Sequence, residues 1–265
     1  MYPTNEERAR ILRLPTLSRA RGCHLYGLDQ SRWTDCWRDG GRALLGHRPA
    51  GVSLRMKNEM DRGLFSAYPH PWEHRLTRAL LKLFPGYSQV RFFRNWERAQ
   101  KALLLSDRPL DPCFLPQDSP EVDGVLFGRP LLPHHPQASR LIPILPMPGW
   151  DGPVPVLFSQ NQINLESDPI SPVAAAGLTR ACGALETLAK KREAKFPIWP
   201  HDADIWDVRG PYMMFLGREN QYNALFETMF QRNVLLAPSS RFPSILPETL
   251  PRKDAEPLFG TGATE

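Results

Sequence analysis

Between residues 72 and 84 the apolar side chains Trp72, Leu76, Leu80, Leu83 and Phe84 return every three or four positions, and the run stops at Pro85-Gly86. That spacing places them on one face of a helix, which the Pro-Gly pair ends. Residues 90–93 read as a short strand. Residues 96–105 read as a helix opening at Asn95, whose short polar side chain can accept a hydrogen bond from a free backbone N–H of the first turn. Apolar runs at 122–127, 141–145 and 154–158 are each bounded by Gly or Pro and predict strands. Residues 172–191 are rich in alanine and predict a long helix with basic residues in its last turns, where the helix dipole favours them. Strands at 205–208 and 212–216 and a helix at 220–231 complete the chain. The order of elements predicts an α/β protein with no internal repeat.

Composition sharpens this picture at two points. The chain of 265 residues holds 28 prolines, about twice the usual share of roughly 5%. They cluster between residues 108 and 155, which therefore reads as short strands joined by rigid loops. A formal net charge of +5 and the arginines between Arg8 and Arg21 raise the question of a nucleic-acid arm. Acidic residues are interspersed throughout and no binding motif accompanies the charge, so the expectation is a solvated, arginine-rich surface with no nucleic-acid partner. Cys23, Cys36, Cys113 and Cys182 lie too far apart for a CxxC motif. With no apolar run of eighteen and no charged-then-apolar leader, the chain reads as cytoplasmic, with reduced thiols and no membrane partner.

Motifs that would carry chemistry are incomplete. His70 and His74 stand four apart with Glu73 between them, the spacing of a helical zinc site, but the Pro-His-Pro context puts His70 before the helix begins. His134-His135 falls in a proline loop, and His201-Asp-Ala-Asp204 lacks identifiable partners, so no metal is expected. A nucleophile elbow, a Walker loop and a dinucleotide fingerprint are all absent.

A series of short matches, in the same order along the chain, resembles one family. Residues 18–35 read Ser-Arg-Ala-Arg-Gly-Cys-His-Leu-Tyr-Gly-Leu-Asp-Gln-Ser-Arg-Trp-Thr-Asp, followed by Leu44-Leu-Gly-His-Arg-Pro and Arg62-Gly63. Later come Tyr68-Pro-His-Pro-Trp-Glu, Phe84-Pro-Gly-Tyr-Ser-Gln-Val-Arg-Phe-Phe, Asp168-Pro-Ile-Ser-Pro-Val-Ala-Ala-Ala, Val208-Arg-Gly-Pro-Tyr-Met-Met and Asn233-Val-Leu-Leu-Ala-Pro. Together these resemble the class III pyridoxal-phosphate aminotransferases, the glutamate-1-semialdehyde aminomutase group in particular. The resemblance implies a truncated fold-type I transferase-like α/β fold with a reduced central sheet. Residues 1–49 and 168–254 would build a small α+β domain from both chain ends, 50–167 the reduced cofactor domain, and 255–265 a flexible tail.

Against that family the departures concentrate in the middle. Pyridoxal phosphate needs a lysine for its Schiff base, an acid near the pyridine nitrogen, and a cup of backbone N–H groups for the phosphate. Where family members read Asn-Ser-Gly-Thr-Glu in the cup, this chain reads Arg94-Asn-Trp-Glu-Arg98. The bulky Trp96 denies the close backbone approach that glycine allows, and the Glu97 carboxylate repels a phosphate. The strand supplying the acid is matched by residues 154–160, where Ser159 and Gln160 replace acids, or by 141–147, which carries none. The lysine should fall between Gln160 and Asp168, and no lysine occurs anywhere between Lys101 and Lys190. Lys101, Lys190, Lys191 and Lys195 read as solvated surface residues.

If the scaffold is retained, Tyr68, His70, Trp72, Asn95, Trp96, Glu97 and Gln160 would face the old cofactor crevice and could hold a small molecule. The simpler alternative is that Trp72 and Trp96 fill the volume the cofactor left. The expectation is an aminotransferase-like pseudoenzyme with no cofactor and no catalytic residues, acting as a small-molecule-binding, regulatory or structural subunit. The alternative is a residual enzyme that still takes pyridoxal phosphate, using a lysine from a partner chain, or one running a lysine-independent reaction. The resemblance further implies a homodimer, or a heterodimer with a full-length aminotransferase. Trp33 and Trp37 would suit such an interface, or equally a core.

Overall fold

The computed structural model describes residues 4–147, 152–160, 164–192 and 204–247. In chain order the elements begin with α1 (Asn5–Ile11), β1 (Leu17–Arg21), β2 (His24–Gly27), β3 (Arg32–Asp35), α2 (Val52–Asp61) and α3 (Pro71–Leu83). Then come β4 (Gln89–Phe93), α4 (Trp96–Leu103), β5 (Glu121–Gly128), β6 (Gln137–Pro143), β7 (Val154–Phe158) and α5 (Pro172–Arg192). The chain closes with β8 (Trp206–Arg209), β9 (Tyr212–Phe215), α6 (Glu219–Gln231), β10 (Val234–Leu235) and β11 (Ser244–Ile245). The predicted tail lies outside the described residues.

Two compact units result, one from residues 1–48 with 192–265 and the other from 49–191. The first is assembled from both chain ends. Its four-stranded sheet runs β1-β2-β3-β10, with β10 parallel to β3 through Val234 opposite Thr34 and Leu235 opposite Asp35. A three-stranded sheet β11-β9-β8 completes the unit. Its core includes Trp33, Trp37, Trp206, Tyr222, Phe226 and Phe242. Trp33 is only 6% exposed and tilts against Phe230, and Trp37 is 5% exposed and meets Phe242 edge-on. Both are core residues and offer no surface for a partner.

Helix α1 is not announced by the sequence pattern. It forms because Thr4 and Glu7 make a capping box, the Glu7 N–H donating to Thr4 Oγ1 and the Thr4 N–H to Glu7 Oε2. Its arginines are tied down: Arg10 donates to the Pro238 carbonyl, and Arg13 pairs with Glu227 and lies over the Phe230 ring.

The middle unit has one four-stranded sheet, β4-β7-β6-β5. Helix α3 starts where His70 caps it, Nδ1 accepting the Trp72 N–H, with Pro71 in the first turn where no N–H is missed. It buries Trp72, Leu76 and Leu80, the face the periodicity predicts. Helix α5, expected with the C-terminal segment, belongs to this unit. Its Ala175, Ala176, Leu178 and Ala181 join Leu76, Leu80, Leu126, Leu141 and Leu157 in one core. Close packing there requires small residues, because a Cβ at Gly177 would lie 2.8 Å from Met56 Cγ.

Both outer edges of this sheet are covered. Leu110 bridges to Leu126 beside β5, its N–H donating to the Val125 carbonyl while its carbonyl accepts from Phe127. Beside β4, the Asp168 N–H donates to the Phe92 carbonyl, the Phe92 N–H to Ser167 Oγ, and Arg91 Nε to the Leu165 carbonyl.

Leu76 is completely buried between helix and sheet. Leu76→Ala should therefore destabilise the protein by about 2–5 kcal/mol, read as a lower urea midpoint at unchanged slope. Leu54→Ala, at a side chain 64% exposed, should stay within about 0.5 kcal/mol.

Candidate functional site

Strands β4, β5 and β6 run in one direction and β7 runs against them, so three carboxyl ends share one edge of the sheet. Phe93 stands opposite Val154, and Gly128 opposite Pro143. In open α/β sheets ligands bind outside such an edge. It is built here from residues 94–98 after β4, the segment from Arg129 after β5, and the Asp168–Ile170 segment packed beside β4.

The N-terminus of α4 is the place for an anion, since its first N–H groups have no helical partner. The chain supplies its own acceptors. Asn95 Oδ1 accepts the Arg98 N–H at 2.9 Å, and the Asp168 carboxylate accepts the Arg94 N–H at 3.1 Å and Arg98 Nε at 3.2 Å. Trp96 lies near-parallel over Phe127, the ring centres 6.3 Å apart and the planes at 25°. Glu97 is exposed in the first turn of α4. His70 reaches the same segment, donating from Nε2 to the Ile170 carbonyl at 3.1 Å while its Nδ1 caps α3. Both ring nitrogens are thereby engaged, and no group of three or more His, Cys, Asp or Glu among the described residues could hold a metal ion. His201 lies outside the described residues.

Of the expected site residues, His70 touches the Asp168–Ile170 segment itself, Asn95, Trp96 and Glu97 stand between Arg94 and Arg98, which bond to Asp168, and Gln160 lies elsewhere. Tyr68 is 73% exposed on the segment before α3. Gln160 follows the carboxyl end of the reversed strand β7, where its carbonyl accepts from Ser88 Oγ at 3.2 Å. The extended stretch from Ser88 to Asn95 covers roughly 23 Å at about 3.3 Å per residue, so Gln160 sits at the opposite edge of the sheet. For the same reason Ser159 and Gln160 cannot stand where an acid for the pyridine would; of the two strands considered, only 141–147 ends at the carboxyl edge.

One constellation at this edge escapes sequence reasoning. Arg129, 1% exposed, donates from Nε and Nη2 to the two oxygens of Asp111 at 2.7 and 2.6 Å. Its backbone N–H donates to His135 Nε2 at 2.9 Å. Burial alone would raise the Asp111 pKa; the charge and hydrogen bonds of Arg129, with the Cys113 N–H and the charge of Arg108, outweigh it and hold the carboxyl below its ordinary value. Burial pushes His135 down to about 4, against the pull of Asp111 and helped by the charges of Arg129 and His134. The two residues are eighteen positions apart, with β5 between them, and only Asp111-Pro112, a cap pattern, hints at an ordered turn.

The residues at this edge do not fit the pyridoxal phosphate that the resemblance implies. The described lysines, Lys57, Lys82, Lys101, Lys190 and Lys191, are all exposed, and Lys82 and Lys190 both pair with Glu186. Asn95 takes the Arg98 N–H of α4, Asp168 takes the Arg94 N–H just before the helix and the Arg98 guanidinium, and the guanidinium after β5 is neutralised by Asp111.

No protein-family model matches the chain. An uncharacterised protein of Treponema pallidum is 26% identical over 290 residues, covering 89% of this chain and 90% of that one. Glutamate-1-semialdehyde 2,1-aminomutase of Heliobacterium modesticaldum is 31% identical over 88 residues, which are 33% of this chain but only 20% of the enzyme. Among solved structures, acetylornithine aminotransferase of Elizabethkingia anophelis superimposes with a TM-score of 0.62 over 97% of each chain at 9% identity. That likeness shows the fold. The chain has an aminotransferase-like fold of mixed α/β architecture, and a third of it is similar to the aminomutase, a longer protein. No helix among the described residues is long and apolar enough to cross a membrane.

Two outcomes follow for the buried pair. Arg129→Met should lower stability by about 3–5 kcal/mol because it strands the Asp111 charge, and Asp111→Asn with Arg129→Met should recover part of that loss in a double-mutant cycle. A histidine held below its ordinary pKa is protonated more readily in the unfolded chain, so stability falls as pH drops from about 6.5 to 4 and this contribution is flat below. Urea midpoints measured across that window should decline, and His135→Gln should remove part of the decline.

Proposed function

We propose that this protein is an aminotransferase-like pseudoenzyme: it keeps the scaffold, performs no pyridoxal chemistry, and acts as a ligand-binding, regulatory or structural subunit. The supporting observation is the start of α4, where Asn95 takes the Arg98 N–H and the Asp168 carboxylate sits against the Arg94 N–H and the Arg98 guanidinium, so that a carboxylate of the chain itself stands where a phosphate would approach. A phosphate there would have to displace a carboxylate already hydrogen-bonded to two donors, and would meet Glu97 in the same turn. The exposed lysines add a second obstacle, since a Schiff base must stand at the sheet edge.

In this reading the subunit works in the cytoplasm as a homodimer, or with a full-length aminotransferase as partner. The competing reading, a transaminase completed by a lysine from another chain, shares the scaffold but requires the cofactor to bind at this edge. Lys195 and Lys253 lie outside the described residues and belong to the same test.

The purified protein should show no visible absorbance band on addition of pyridoxal phosphate, and no mass increase after borohydride reduction. A band together with a stable adduct would overturn the proposal, and peptide mapping would then locate the lysine.

A further inference from the structure

A second cavity lies away from the α4 N-terminus, within the middle unit. It has a volume of about 340 Å³ and lies among the end of α3, the connection from β5 to β6, and the last turns of α5. That volume falls in the range of small-molecule sites, which are mostly apolar with a few placed polar groups. Leu83, Phe84, Leu131, Leu141, Leu185 and Ala189 supply apolar wall.

The polar groups in the lining define what could bind. Asp, Glu and Lys are absent from it, and its one guanidinium, Arg129, is neutralised by Asp111. His135 accepts the Arg129 N–H at Nε2, so the neutral ring carries its proton on Nδ1, a free donor. Its ring meets Phe84 edge-on, and burial keeps it uncharged at neutral pH. The Tyr87 hydroxyl is buried; it is within reach of the Ala138 backbone but completes no hydrogen bond of good geometry in the chain. A buried hydroxyl left unpaired costs free energy that a ligand acceptor or donor would recover. Gln137, another lining residue, offers an amide.

We propose that this cavity is a binding site for a small, uncharged, largely apolar ring compound bearing a hydrogen-bonding group. The walls take the ring, and Tyr87, His135 or Gln137 meets its polar group. Anions are disfavoured because entry would strip their water without offering an unpaired cation. The inference does not rest on the proposed loss of cofactor chemistry, which is argued from the start of α4: the cavity shares the segment from Arg129 with that edge, but none of residues 94–98 lines it.

Indole is a suitable neutral probe and benzoate its anionic counterpart, titrated into the full chain by calorimetry and ligand-observed NMR. Indole should bind saturably and at least tenfold more tightly than benzoate. Ala189→Trp, which fills the cavity from its helical wall, should abolish the binding while circular dichroism reports an intact fold. Tyr87→Phe, which keeps the shape, should weaken it roughly two- to tenfold, as loss of one hydrogen bond does. Non-saturable indole binding, equal binding of benzoate, or full affinity in a folded Ala189→Trp protein would each overturn the proposal, and unchanged affinity in Tyr87→Phe would remove the hydroxyl's role from it.

Discussion

A β-sheet reduced to four strands must close two edges, because an open row of N–H and C=O groups is either hydrated or paired with another chain. The middle unit closes both with irregular chain. Leu110 takes the β5 edge through two backbone hydrogen bonds, and residues 165–168 take the β4 edge. These closures determine what the crevice can be. Asp111, next to Leu110, locks Arg129 at the end of β5; Asp168, whose N–H covers Phe92, turns its carboxylate onto the start of α4. The residues that finish the sheet are thus the residues that occupy the ligand edge.

That coupling ties any change at this edge to the closure of the sheet. Moving Asp168 aside would free the Arg94 N–H and the Arg98 guanidinium but release a covering of β4. Removing Arg129 would open the end of β5 but leave a buried carboxylate beside His135. Trp96, stacked over Phe127, adds packing contacts of the kind that aromatic pairs contribute at about 0.5–1.5 kcal/mol beyond simple burial. The Arg94 N–H, the Arg98 N–H and guanidinium, and the Arg129 guanidinium at this edge all have partners within the chain, so the contacts that stabilise the fold are the ones a ligand there would have to replace.

How much of this was legible in the sequence depends on the range over which the deciding contact acts. Helix α3 and strand β7 were readable because their signals are local: the Trp72-Leu76-Leu80 stripe ended by Pro85-Gly86, and an apolar run bounded by prolines. Asn95 as a cap was readable for the same reason. Strand direction was not, because residues 154–158 look alike whichever way they run, and only the register with β4 places Gln160 at the far edge. The Arg129–Asp111 pair was hidden because nothing in either residue's neighbourhood names the other. Trp33 and Trp37 could equally have been surface or core until Phe230 and Phe242 came to meet them from residues about two hundred positions away.

The same long range holds the two chain ends to one another. The unit made of both termini is fastened by contacts that skip the middle entirely: β10 parallel to β3, and buried Glu7 accepting from Ser239 and Arg241. Neither half of that unit can bury its core alone, because Trp33 and Trp37 pack on residues of the C-terminal segment. Material can therefore be lost from the middle only while the remaining strands still carry the chain between the two ends. The four-stranded sheet with capped edges meets that requirement. The Treponema pallidum protein aligns over nearly the whole of both chains, so a chain of similar length occurs in a second protein. In this chain the central sheet, with both edges capped, is what carries the backbone from one terminal half of that unit to the other.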